Sequence, residues 1–128
     1  MKTLLQLNTS LFASGGQSSQ LADKFVATWK ANNADAAVIV RDLASNPLPH
    51  LDAEHFLAFI AQPAERTARQ QELAATADAL IDEIKSADVI VLGLPMYNFG
   101  APSTLKAYFD RIARAGVTFR YTANGPEG

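Results

Sequence analysis

The 128-residue sequence contains no cysteine. That absence excludes disulfide staples, thiol nucleophiles, iron–sulfur clusters and cysteine-based zinc sites, and it points away from a small secreted scaffold. Histidine is scarce as well: His50 and His55 are five residues apart, off a shared helix face and with no third ligand nearby, so no metal is expected and both read as surface or loop residues. No apolar run approaches the roughly 18 residues of a transmembrane helix. The start, Met1 to Leu7, carries one positive charge and too short an apolar stretch for a signal peptide. The expected setting is the cytoplasm, with no membrane partner. An excess of either charge is also missing, since 11 Lys and Arg face 13 Asp and Glu for a net charge of −2. No nucleic-acid partner is expected on that balance. Residues 1–102 carry seven basic and eleven acidic groups and residues 103–128 four and two, a basic tail that reads as a solvated face.

What is present, 48% hydrophobic residues in a chain of this length, fits one compact domain with its own core. Leu4, Leu5 and Leu7 read as a buried strand that ends in Asn8-Thr9-Ser10, followed by a Gly15-Gly16 loop. Leu21, Phe25, Val26 and Trp29, at offsets 0, 4, 5 and 8, predict a helix burying that face, with Ser18 or Ser19 as its N-cap. Asn32-Asn33 ends it, and Ala37 to Val40 is a second, β-branched strand that stops at Arg41-Asp42. Prolines 47 and 49 make Ala44 to Leu51 a long connection. Asp52 can cap a short helix through Ile60, with Phe56, Phe59 and Ile60 on one face, before Pro63 interrupts it. Thr67 opens a long amphipathic helix with Leu73, Ala77, Leu80, Ile81 and Ile84 on one side. Asp88 to Pro95 is the continuous apolar run of a strand covered on both faces. Ser103 or Thr104 then caps a helix bearing Leu105, Tyr108, Phe109 and Ile112, with Gly116 as the stop signal.

This order predicts an α/β fold, a flavodoxin-like three-layer sandwich with a parallel sheet in the order 2-1-3. Ligands of such sheets bind beyond the C-terminal strand ends at the switch point, which selects two loops: Asn8 to Ser19 and Met96 to Ser103. The first has neither a dinucleotide fingerprint nor a P-loop. Its serines and glycines ahead of a helix would let backbone N–H groups and hydroxyls hold a phosphate monoester without a basic side chain, or would make a plain turn with an N-cap. The second offers Met96, Tyr97, Asn98 and Phe99 between Pro95 and Pro102, a surface for a flat heterocycle unless the aromatics fold back onto the core. Together the loops suit an aromatic ring with a phosphate tail, the shape of flavin mononucleotide (FMN).

Pro95 with Met96-Tyr97-Asn98-Phe99, the stretch Arg41 to Pro49, and Arg114-Ala115-Gly116-Val117-Thr118-Phe119-Arg120-Tyr121 resemble the FMN-dependent NADH-azoreductases, flavodoxin-like quinone and azo-dye reductases. The resemblance implies FMN binding by Ser10, by Gly16, Gln17 and Ser18, and by Met96 to Phe99. Gly16 departs from the commoner Ser-Gln-Ser and removes a hydroxyl. It also implies ping-pong hydride transfer from NADH or NADPH through the flavin to a quinone or azo compound, with no protein nucleophile or general base. Main-chain N–H groups around Asn98 would bond the flavin edge near N5 and O4. Phe119 and Tyr121 are candidates for the substrate wall. Family members are homodimers with the flavin near the interface, so a partner could add aromatics.

Arg41-Asp42 reads as a pair of local loop contacts, and Asp78, Asp82 and Glu83 as the solvated face of the long helix. A signalling receiver domain would share the strand order but needs acidic residues where this chain has Asn8-Thr9-Ser10 and Pro95-Met96. An electron-carrier flavodoxin would keep FMN but use a strongly acidic surface. In the family the chain continues through further strands and a last helix, so residues 1–128 read as an FMN-binding domain lacking these, about two-thirds of a reductase, with an inactive fragment as the alternative. The strand from Asp88 to Leu94 would then stand at a sheet edge, open to pairing with another chain.

Overall fold

A computed structural model describes all residues from 1 to 128. Three strands, β1 (Thr3–Asn8), β2 (Ala37–Asp42) and β3 (Val89–Gly93), form a parallel sheet in the order β2-β1-β3. The expected order 2-1-3 and the flavodoxin-like layering are therefore present. The helices are α1 (Gln17–Asn32), α2 (Ala53–Ile60), α3 (Ala68–Ser86) and α4 (Ser103–Ile112). Leu4 is level with Val38 on one side and Val89 on the other, so residues of β1 alternate between two faces. Leu5 and Leu7 join Leu43, Leu80, Leu105 and Tyr108 in one buried cluster. The other face meets α1, where Ser19, Ala22 and Val26 are buried.

Caps explain two helix starts. Asp52 accepts from the His55 amide at 2.9 Å, and Thr67 with Gln70 forms a reciprocal capping box; such caps contribute about 1 kcal/mol each. Two other expected caps are corrected. Neither Ser18 nor Ser19 caps α1, whose N-cap is Gly16 without a side-chain bond, and Pro102 takes the place expected for Ser103 or Thr104. Helix α4 ends at Ile112, its C-cap Ala113 donating to the Phe109 carbonyl, three residues before Gly116 (φ +80°) turns the chain.

The buried face of α1 differs from the expected one, since Leu21 and Phe25 are exposed and small residues pack instead. The spacing explains it: a Cβ on Gly93 would come within 3.3 Å of the Ser18 carbonyl, so helix and sheet approach too closely for large side chains between them. β3 pairs only with β1, and Ile90, Leu92 and Leu94 are partly open rather than covered on both faces.

Of the expected solvated face, Asp82 is exposed and Asp78 keeps about half of its side chain in solvent while pairing with Arg114, but Glu83 is turned inward, both its oxygens accepting from Arg41 at 2.8 and 2.9 Å. Of the expected local loop contacts of Arg41-Asp42, only those of Asp42 are present, accepting from the amides of Ala44 and Ser45, while Arg41 instead reaches Glu83 on α3. The tail, expected only as a solvated face, forms an antiparallel hairpin, β4 (Arg120–Thr122) with β5 (Gly125–Glu127). No helix is long and apolar enough to cross a membrane.

Candidate cofactor-binding site

The two loops chosen from the sequence meet at the C-terminal ends of β1 and β3. Thr9, fully buried, donates its hydroxyl to the Gly93 carbonyl at 2.7 Å. Tyr97 reaches across from the second loop, its hydroxyl accepting from the Leu11 amide at 3.0 Å and standing 3.5 Å from Ser10 Oγ. One phenol thus connects the serine-rich loop to the aromatic one.

On the first loop, Ser10 is buried and its Oγ also accepts from the Phe12 amide at 3.2 Å. A Cβ on Gly16 would fall 2.0 Å from that oxygen, so the hydroxyl missing at position 16 has its place filled by Ser10. Ser19 turns its hydroxyl back to the Ala13 carbonyl at 2.7 Å. The amides of Gln17, Ser18 and Ser19, in the first turn of α1, donate to no group of the chain, and the N-cap Gly16 offers no side chain. Ser18 Oγ is buried without a partner. Three unclaimed N–H groups at the positive end of a helix dipole, beside an orphaned hydroxyl, fit a phosphate.

On the second loop, Tyr97 and Gly100 exchange backbone bonds, each at 3.0 Å, around Asn98 (φ +50°) and Phe99 (φ +67°). This is a tight turn with both central residues left-handed, a conformation that asparagine tolerates and phenylalanine adopts only under strain. The turn directs the Asn98 and Phe99 amides away from its own bonds, and neither donates within the chain. Phe99 is 97% exposed and Met96 is 73% exposed, so these side chains do not fold back onto the core.

The structure joins the loop of Ser10, Gly16, Gln17 and Ser18 to the loop of Met96, Tyr97, Asn98 and Phe99 through the Tyr97 hydroxyl. It does not bring Phe119 and Tyr121 to them. Those two rings pack edge to face at 5.3 Å and line a separate cleft of about 580 Å³ with Phe56, Phe59 and Ile60, to which neither loop contributes. Sequence reading missed Thr9 and Gln6. Gln6, buried in β1, donates to Asn8 Oδ1 at 3.1 Å and to Asp23 Oδ1 at 2.8 Å. Its signal was available: Gln6 and Asn8 alternate with leucines in a strand read simply as buried.

Comparisons with known proteins agree with the fold. A family model described as flavodoxin-like fold matches residues 1–128. The FMN-dependent NADH:quinone oxidoreductases of Cellvibrio japonicus and Burkholderia thailandensis are 56% and 55% identical over all 128 residues, which cover 64% and 65% of those relatives. The chain therefore spans a little under two-thirds of the length of the curated relatives it matches. Among solved structures, an azoreductase from Bacillus anthracis str. Sterne superposes with a TM-score of 0.88 at 27% identity, over 100% of this chain and 63% of that one. An FMN-dependent NADH-azoreductase from Bacillus anthracis str. Ames Ancestor, solved in complex with FMN, gives 0.85 at 28% identity, with the same shares covered.

Proposed function

The chain belongs to the family of flavodoxin-like fold, and from that premise we propose that it is the FMN-binding part of an NAD(P)H-dependent oxidoreductase acting on quinones and azo compounds. The observation that carries this reading is the pair of loops joined through Tyr97, one with unclaimed amides at a helix start and the other with unclaimed amides at a strained turn. When bound, the flavin would supply the redox chemistry of a ping-pong hydride transfer between NADH or NADPH and a quinone or azo acceptor.

The chain's own part is to bind and orient. Gln17, Ser18 and Ser19 present their amides to a phosphate, with Ser10 and Ser18 adding hydroxyls. The Asn98 and Phe99 amides are fixed by the turn at the opposite end, where they can hold negative charge on a ring edge without reorganising. Met96 and Phe99 supply apolar surface for the ring. Phe119 and Tyr121 lie apart from the loops of their own chain, so their role as a substrate wall calls for a homodimer in which one copy's cleft faces the other's loops.

The test is the visible spectrum of purified, desalted protein after incubation with FMN, followed by addition of NADH. Retained flavin that bleaches with NADH, and steady-state NADH turnover with a quinone, are expected. Binding without turnover would make the chain an electron carrier of flavodoxin type. Flavin retained only by a chain extended to the relatives' length would mean that the remaining third completes the site. No flavin in either chain overturns the assignment.

A further inference from the structure

A second pocket lies away from the loops, between the segment before α2, the outer half of α3 and the end of α4. It encloses about 280 Å³, at the small end of ligand-binding cavities, and its walls include Arg111, Arg69, His55, Thr76, Leu48 and Leu73. Its unusual member is Arg111. Arg41, Arg69, Arg114 and Arg120 each hold a carboxylate, and Arg66 holds the carbonyls of Ala58 and Phe59. Arg111 is only 3% exposed, yet its sole bond is from Nη1 to the Ala107 carbonyl of its own helix at 3.4 Å, and Nη2 has no partner. Asp110 and Asp52 act on it only at a distance, and a buried guanidinium with no carboxylate bonded to it is an expensive arrangement. Its pKa is lowered by that desolvation.

The acids nearby are already engaged. Asp52 is bonded to the His55 amide and ring, Glu54 and Glu72 lie on Arg69, and Asp110 lies on Lys106. His55 uses Nδ1 on Asp52, which leaves Nε2 unclaimed. Leu48 and Leu73 make the rest of the wall apolar.

We propose that this pocket binds a small carboxylate with an apolar body, its carboxylate held by Arg111 and its body against Leu48 and Leu73. A guanidinium matches a carboxylate with two parallel bonds, and the leucines favour an aromatic or short aliphatic body over a bare inorganic anion. The proposal is independent of the flavin assignment.

Benzoate and its neutral isostere benzamide are the probes, titrated into the flavin-free chain while backbone amide NMR shifts are followed. Saturable shifts at Leu73, Thr76, Ala77 and Arg111 are expected, with benzoate bound about tenfold more tightly than benzamide, as a charged hydrogen bond implies. In Arg111→Met that preference is expected to vanish. Should this variant fail to fold, the benzoate-to-benzamide ratio and the shift map of the unaltered chain decide alone. Equal affinity for the two probes, shifts confined to the cleft of Phe56 and Phe119, or no shifts at all would each overturn the proposal.

Discussion

Strand β1 has two faces, and they are built from different chemistry. Leu5 and Leu7 look onto a dry cluster with Leu80, Leu105 and Tyr108. Leu4, Gln6 and Asn8 look toward α1, and the polar pair is satisfied by one chain of bonds that includes Asp23. Both faces are buried, but within β1 only the second carries polar side chains. The leucines of the apolar face can be altered with losses of stability alone, because their own contacts within the cluster are non-directional. On the polar face each group has a specific partner, so a change there disturbs the ends of β1 and β3 as well.

The largest expected effect comes from the dry face. Leu80→Ala removes a residue that is 2% exposed and should cost about 2–5 kcal/mol of unfolding free energy, read as a lower urea midpoint. Below the transition its FMN affinity should match that of the unaltered chain. A parallel loss of affinity would break the division between the faces. Gln6→Leu tests the other side: the Asn8 carbonyl loses a donor in a buried place, for a cost of about 1–2 kcal/mol. Here FMN binding should weaken along with stability, and unchanged binding would remove Gln6 from any part in the site.

Tyr97→Phe should sharpen the contrast further. It deletes the acceptor for the Leu11 amide without touching either face of the sheet. FMN affinity should fall about tenfold, the scale of one hydrogen bond near a charged group, while the urea midpoint stays put. Riboflavin, which lacks the phosphate, should bind the variant as it binds the unaltered chain. Equal weakening of both ligands would put the effect at the ring and not at the serine-rich loop.

The apolar framework and the location of the site were legible because they depend on local pattern. Three apolar runs gave the strands, and the 2-1-3 order put the loops after Leu7 and Leu94 at the switch point. Where reading failed, the deciding contacts lay far away in sequence. Leu21 and Phe25 satisfy a helical period with Val26, but the close approach of α1 to Gly93 reserves the interface for Ala22 and Ser19. Glu83 meets an arginine 42 residues away and Asp78 one 36 residues away, so neither pair is visible in a helical wheel. The hairpin of β4 and β5 has strands of three residues, too short for alternation to register. The Tyr97 contact was hidden for the same reason: an aromatic motif says that a ring is near, not which amide its hydroxyl meets.

The smallest expected effect returns to the dry face and to its one polar atom. Tyr108 is fully buried, and its hydroxyl has no partner. Burial, helped by the nearby Glu83 carboxylate and opposed by Arg41, pushes the phenol up from 10.0 to about 12. In the unfolded chain the same group ionises near 10, so below that pH both states hold the proton and stability does not depend on it. Between pH 10 and about 12 the unfolded state releases the proton first, and stability falls as pH rises. Tyr108→Phe removes both the unpaired hydroxyl and this titration. At pH 7 it should be neutral to about 1 kcal/mol more stable than the unaltered chain, because a buried donor without a partner is lost. Its advantage should then widen through the alkaline window, as measured by urea midpoints at stepped pH. Parallel curves up to pH 12 would mean that the phenol reaches water or a partner, and the face would not be dry at that position.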